Sequence, residues 1–279
     1  MKLAFSTLGC PSWDLDQILD CAVECGYSGL EFRGYLDQVD LRKSPLFSKA
    51  HLPVLKQRLA SAGIKPVVVA SSAQLCQVDK ARREATLSEL ADYCLIAQQL
   101  GAPLVRVFGG NPPEGATEAE ALEAAQLTLR QAEVFAASYI VRLALETHDF
   151  FVTGKRVGAV LAAGNPEASC ALWDMHHPWR VGESLEASWD YLGSRLCHAH
   201  LKDSRLLPDG TVQLCLTGMG DIPLAPFLEL TLKRGYQGYY SFEWEKRWQQ
   251  QLEEPEVALP QFAETLRSYL ASLNQGGLS

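Results

Sequence analysis

The 279-residue sequence predicts an α/β fold, a single (β/α)8 TIM barrel spanning residues 1–279, and three observations carry that reading. Short apolar runs alternate with segments of helical spacing along the whole chain, which is the pattern of a parallel sheet with helices outside it. The alternation repeats through eight strand–helix units, the number that closes a barrel. Four apolar runs in the second half end abruptly in acids and histidines, as buried strands do when their C-terminal ends open into a polar site.

The units run in order. Lys2–Thr7 is the first strand, and Gly9-Cys10-Pro11-Ser12 follows it. Asp14–Cys25 has helical spacing at Leu15, Ile18, Leu19, Ala22 and Val23 and stops at Gly26. Ser28–Phe32 is the second strand, with Glu31 and Arg33 at its end. A loop through Pro45 leads to a helix over Phe47–Ala62, capped at Gly63. Ile64–Ala70 is a strand and Asp79–Leu100 a long helix stopped by Gly101. Strand Pro103–Phe108 runs into Gly109-Gly110, and Thr117 with Glu120 forms a capping box for a helix to Tyr139. Ile140–Glu146 is the fifth strand. Then come helix Val157–Ala163, strand Ser169–Asp174, helix Ser184–Leu192 and strand Arg195–His200. An insert, Lys202–Asp221, holds a hairpin turn at Pro208-Asp209-Gly210. Helix Pro223–Arg234, strand Gly238–Glu243 and helix Glu256–Leu273 complete the count, and the tail from Asn274 should fray. A doubly wound open sheet would carry a glycine-rich phosphate turn after its first strand, and Ser6-Thr7-Leu8-Gly9-Cys10 is not one.

Composition narrows the function. The chain is 47% hydrophobic and 21% charged, which is ordinary for a globular protein. Its net charge of −8 weighs against a nucleic-acid partner. No apolar run approaches the length of a membrane helix, and residues 1–10 lack a signal-peptide core. The eight cysteines form no C-x-x-C pair and several sit in apolar runs; they read as reduced, and the protein as cytoplasmic.

The strand ends carry the chemistry. Leu143-Ala144-Leu145 runs into Glu146, Thr147, His148 and Asp149, and Ala171-Leu172-Trp173 into Asp174, Met175, His176 and His177. Leu196-Cys197-His198-Ala199 runs into His200, Leu201, Lys202 and Asp203, and Tyr239–Phe242 into Glu243. Five of the six histidines lie between positions 148 and 200, so these ends form a pattern rather than isolated caps. Glu146, Asp174, His200 and Glu243 together offer three hard oxygens and a borderline nitrogen to one divalent cation. Mn²⁺ suits such a set best, with Mg²⁺, Co²⁺ or Zn²⁺ as alternatives. His177 could reach a substrate hydroxyl or stand as a solvated loop residue, and His148 should sit above Glu146. His198 belongs deeper, in the core or behind the ligands. Lys202 and Arg205 are candidates to hold a substrate anion, with solvated-loop positions as the alternative for Asp203 and Arg205. Arg106, between two valines, must be paired or face the cavity, with Glu31 or Glu146 as partner. Trp13 and Trp244 either wall the pocket or pack in the core.

This series, Glu146, Asp174-x-x-His177, His200-x-Lys202-Asp203 and Glu243-Trp244-Glu245, resembles the xylose isomerase-like TIM-barrel superfamily of sugar phosphate isomerases and epimerases, the AP endonuclease family 2. Gly26-Tyr27-Ser28-Gly29-Leu30-Glu31 resembles its second-strand signature, and Gly218-Met219-Gly220-Asp221 with Gly235-Tyr236-Gln237-Gly238 its approach to the last strand. The resemblance implies a metal-dependent isomerase or epimerase acting on a small carbohydrate-like substrate through a metal-stabilised enediolate. Glu146 and Glu243 would be both ligands and the acid/base pair. A dehydratase of an inosose- or dehydroshikimate-like substrate would use the same ligands. It further implies a homodimer or homotetramer. Ketose epimerases of the family place an arginine shortly after the equivalent of His200, and Arg205 is not in register with it. A resemblance to endonuclease IV is weaker. The ends Ala70-Ser71-Ser72 and Val107-Phe108-Gly109-Gly110 lack its extra histidines, and no Asp-x-His pair follows His200. A non-catalytic sugar-binding protein would not need both Glu146 and Glu243.

Overall fold

The computed structural model describes residues 1–276. Eight parallel strands close into a barrel: β1 (Lys2–Ser6), β2 (Gly29–Phe32), β3 (Lys65–Gln74), β4 (Leu104–Phe108), β5 (Arg142–Glu146), β6 (Ser169–Asp174), β7 (Leu196–Leu201) and β10 (Tyr239–Phe242). Each pairs with its neighbour in the chain, and β10 closes against β1, Lys2 facing Tyr239 and Phe5 facing Phe242. β8 (Asp203–Leu206) and β9 (Val212–Cys215) form a separate antiparallel hairpin, whose turn is the one predicted at Pro208-Asp209-Gly210.

Alternation along the strands sorts side chains into two environments. On β5, Leu143 and Leu145 pack outward against the helices, whereas Ala144 joins Ala4, Val68, Leu104, Cys170 and Leu172 in a separate cluster that fills the barrel lumen. Small residues are needed there. A Cβ on Gly29 would stand 2.7 Å from the Tyr239 ring and 2.9 Å from a Val67 methyl. Three inward positions of the lumen cluster are followed two residues later by a charged one: Leu104 by Arg106, Ala144 by Glu146, Leu172 by Asp174.

The helices begin and end where their caps stand. Thr117 and Glu120 form the predicted capping box of α4 (Glu118–Ser138), and Asp79 caps α3 (Lys80–Leu100), which Gly101 ends at φ +88°. Four readings require correction. The helix predicted from Phe47 starts only at Leu52 (α2, Leu52–Ser61), because Pro45–Phe47 makes its own single 3₁₀ turn. The stretch after β6 is not a bare loop but a five-residue helix, α6 (His176–Arg180). β3 continues four residues past Ala70 to Gln74, where it regains register with Phe108. The cysteines are not all reduced: Cys170 and Cys197 form a disulfide, their Cα atoms 6.0 Å apart on adjacent strands, within the range a bridge spans. That pairing removes the cysteine argument for a cytoplasmic location. Among the described residues no helix is long and apolar enough to cross a membrane. The last helix, α9, continues to Gly276, and the remainder of the predicted fraying tail lies outside the described residues.

Candidate metal centre

The four predicted ligands converge. Glu146, Asp174, His200 and Glu243 each offer an atom within 4.8 Å of the others, and all four are buried. They come from the C-terminal ends of β5, β6, β7 and β10. Strand pairing sets Asp174 directly beside His200 and Ser241 beside His200 on its other flank. Glu243 then follows two positions beyond Ser241 on the same face.

His200 is the pivot. Its Nε2 lies 2.8 Å from Glu31 Oε2, which turns its Nδ1 toward Glu146 Oε1 at 3.0 Å and Glu243 Oε1 at 3.5 Å. Glu31 Oε2 also meets His198 Nε2 at 3.1 Å and accepts from Ser241 Oγ at 3.4 Å. A carboxylate behind a histidine fixes its tautomer and raises its basicity, the usual support of a metal-binding imidazole. Burial alone would lower His200, but Glu31, Glu243 and Glu146 outweigh it and hold the ring well above its ordinary pKa. His198, with no such surplus of acids, is lowered by burial.

Each glutamate has one oxygen tied to a cation and the other turned to His200. Arg106 Nη1 donates to Glu146 Oε2 at 3.0 Å, so Glu146 rather than Glu31 is the partner of this buried arginine, which also stacks 3.8 Å over the Phe108 ring. Lys202 Nζ donates to Glu243 Oε2 at 2.5 Å and lies 2.6 Å from Asp174 Oδ2 and 3.1 Å from Glu245 Oε1. Burial would raise both glutamates. Arg106 and His200 instead push Glu146 down to about 2, and Lys202 with His200 holds Glu243 well below the carboxylate range. Asp174 goes the other way, up to about 6, because burial and the neighbouring Glu243 and Glu146 outweigh the pull of Lys202.

This crowd fits a divalent cation. Three carboxylates and an imidazole nitrogen share one buried space, and Asp174 Oδ2, despite its ion-pair contact with Lys202, takes no hydrogen bond. Oxygens packed this closely repel one another unless a multivalent positive charge lies among them.

The remaining predicted residues separate. His177 is buried, 3.3 Å from Asp174 Oδ2, and stands edge-on to His148 with ring centroids 4.6 Å apart. Neither of its nitrogens is hydrogen-bonded, and burial followed by the Lys202 charge lowers it well below its ordinary pKa. His148 packs against the Phe108 ring and lies 2.9 Å from Asp149. These two histidines, His176, Arg180 and Glu245 line a cavity of about 320 Å³ together with Val212 and Leu214 of the hairpin. Arg205 is a correction: it is exposed on β8 and donates to the Met219 carbonyl at 2.8 Å, because the chain leaves the barrel wall after Lys202 and enters the hairpin. Asp203 is structural. Its carboxylate accepts from the backbone N–H groups of Gly218, Gly220 and Ile222 and so ties the insert to the barrel. Trp13 and Trp244 are core residues whose indoles donate to Glu256 and to the Glu253 carbonyl. In the sequence Glu31 and Glu245 stand inside stretches that resemble the family, and Glu31 is also a candidate arginine partner, but nothing local assigns Glu31 to the two histidines or Glu245 to Lys202.

A closed parallel barrel with a buried acid–histidine cluster at the C-terminal ends of its strands defines a (β/α)8 protein with a candidate metal centre. The chain belongs to the xylose isomerase-like TIM barrel family, whose model matches residues 19–269. Among solved structures, a D-tagatose 3-epimerase-like protein superposes with a TM-score of 0.80 at 20% identity, covering 99% of both chains. IolI protein with a bound zinc atom gives 0.78 at 18% identity over 98% of both. The probable 3-DHS dehydratase AsbF of Bacillus anthracis gives 0.76 at 15% identity over 96% of this chain and 99% of that one. At these identities the likeness is one of fold. No protein of curated function matches in sequence.

Proposed function

We propose that the protein is a divalent-metal-dependent isomerase or epimerase of a small carbohydrate-like carbonyl compound. One observation carries the reading: Glu146 and Glu243, each ionised and each anchored through one oxygen to a cation, face the same His200 Nδ1 at 3.0 and 3.5 Å. Two carboxylates across a shared centre suit proton transfer at two positions of one substrate. A divalent cation held by Glu146, Asp174, His200 Nδ1 and Glu243 would supply Lewis acidity at the substrate carbonyl oxygen, Mn²⁺ being our choice and Zn²⁺, Mg²⁺ or Co²⁺ the alternatives.

The chain's own residues account for the rest. One glutamate removes the proton from the carbon beside the carbonyl. The other returns one, on the opposite face of that carbon for an epimerisation or at the neighbouring carbon for an isomerisation. Arg106 and Lys202 fix where each carboxylate points. His177 and His148, neighbours on the cavity wall, are placed to meet substrate hydroxyls. Hairpin residues Val212 and Leu214 add an apolar stretch to that wall. A second reading, loss of a hydroxyl from an inosose- or dehydroshikimate-like substrate, draws support from the buried Lys202 ammonium. It stands 2.5 Å from Glu243 and could hand a proton to a departing hydroxyl.

The test is elemental analysis of gently purified protein beside His200→Ala, followed by a screen of sugars and cyclic polyol ketones for metal-dependent proton exchange in D₂O. About one divalent ion per chain, lost in the variant, is the expected result. No ion, even after Mn²⁺ or Co²⁺ is added back, overturns the proposal.

A further inference from the structure

The mouth of the barrel holds a second arginine that the mechanism above does not use. Arg33 follows β2 and is only 7% exposed. Its side chain makes no hydrogen bond or salt bridge among the described residues, and its Nη1 is wholly buried without a partner. Burial and the Arg106 charge lower its pKa to about 10, so it remains a cation at neutral pH. Buried guanidinium groups are ordinarily paired, since removing an uncompensated charge from water is costly. Arg106, at the same depth, obeys that rule through Glu146. Arg33 does not.

Its place follows from the strand. Glu31 points into the lumen, where it meets His198 and His200. Arg33 lies two residues on, at the bend just past the end of β2 and nearer the mouth, where the charges of Arg106, Glu243 and Glu146 all act on it. Register gives its neighbours: Phe32 pairs with Val69, and the next residue of β3, Ala70, pairs with Arg106. Arg33, next after Phe32, and Arg106 therefore start from strands on either side of Ala70; the Arg106 charge acts on Arg33, and so do Glu243 and Glu146. The backbone is pinned as well. Arg33 N donates to Thr7 Oγ1 at 2.9 Å, Thr7 Oγ1 donates to the Gly34 carbonyl at 2.7 Å, and Gly34 turns the chain at φ +80°. A buried cation on a pinned backbone, left unpaired, is available to a ligand.

We propose that Arg33 is the anion-binding element of the substrate pocket: the substrate carries a carboxylate or phosphate group, and that group pairs with Arg33 while the reacting carbon faces Glu146 and Glu243. This rests on the proposed isomerase reading and adds the substrate's charge class to it. It also reassigns the role expected of Lys202, whose ammonium is already neutralised by Asp174, Glu243 and Glu245. The guanidinium fork suits either anion, since both present two oxygens to parallel N–H donors.

Acetate and inorganic phosphate, titrated at constant ionic strength into the purified protein and into Arg33→Gln, test the assignment. Glycerol serves as the neutral control, and binding is followed by calorimetry and by the Arg ¹⁵Nε NMR signals. The wild type is expected to bind one or both anions, and the better of the two identifies the carboxylate or the phosphate class. Arg33→Gln should lose about tenfold or more in that affinity. Its Tm should be unchanged or higher, because a cation kept for a ligand is a burden on the ligand-free fold. No anion binding by the wild type, equal binding by the variant, or binding lost only together with a fall in Tm overturns the proposal. Metal content measured on the same samples separates the two readings: Arg33→Gln should keep its divalent ion. If neither protein holds metal, the isomerase reading fails whatever the anions do.

Discussion

The lumen of this barrel has a floor and a mouth, built by the same strands and buried to the same extent. On the floor, Ala4, Leu104, Ala144 and Leu172 fill space and carry no charge. Two residues further along, Arg106, Glu146 and Asp174 are charged or close to it, at 0–1% exposure. Closure of the barrel and the helices around it therefore do not dictate the polarity of the inward positions. Charges in such a place cost stability unless each is compensated, and even compensated pairs do little better than apolar residues would. The mouth is the level at which this chain retains them. Substitution on the floor should cost stability and spare the chemistry, whereas substitution at the mouth should cost the chemistry, with stability depending on which buried charge loses its partner.

The largest effect falls on the two glutamates. Glu146→Gln and Glu243→Gln are each expected to lower turnover by about 10²–10⁴-fold, the contribution of a positioned acid or base. Their stabilities should differ. Glu243→Gln relieves repulsion among three crowded carboxylates and leaves Lys202 with Asp174 and Glu245, so its Tm should hold or rise. Glu146→Gln strips the only ion pair from Arg106 among the described residues, and its Tm should fall. Turnover on a substrate found in the exchange screen, set beside scanning calorimetry, reads both. Full activity in either variant would remove that glutamate from the acid/base pair.

Leu172→Ala probes the floor directly beneath Asp174. Leu172 is fully buried in the lumen cluster, and its truncation should cost about 2–5 kcal/mol, the transfer term plus a cavity. The divalent ion per chain should not change, because Asp174 is held by its own backbone contacts: its carbonyl accepts from Thr147 Oγ1 at 2.9 Å, and its Oδ1 from His176 N at 3.0 Å. Loss of metal with stability intact would mean that the two levels are not separable.

The strands and the ligand set were legible because both are written locally. An apolar run broken by an acid or a histidine is visible in five residues, and the two-residue period of a strand says which of them share a face. Helix α4 was legible for the same reason, through Thr117 and Glu120. What escaped depends on closure. Glu31 meets His198 and His200 from 167 and 169 positions away, and the signature stretch that ends in it does not say what it will meet. Arg33 becomes conspicuous only when its missing partner is known. Cys197, which bridges to Cys170, is the residue skipped where β6 and β7 shift register between Ala171 and Leu172, an irregularity the sequence does not announce. Helix α6 contains Pro178 and is too short to show a period.

Arg205 should show the smallest effect. It was expected near the substrate because it stands five residues after His200, but nearness in sequence ends where the chain leaves the barrel wall. Lys202 is still inside it, 1% exposed among three carboxylates, whereas Arg205, three residues on, faces solvent. Arg205→Ala removes one exposed hydrogen bond to the Met219 carbonyl, so stability should move by no more than about 0.5 kcal/mol and kcat/KM should not change. A tenfold rise in KM for an anionic substrate, with kcat unaltered, would put Arg205 back at the mouth. The hairpin would then have to fold inward during turnover, carrying Val212 and Leu214 across the cavity they line.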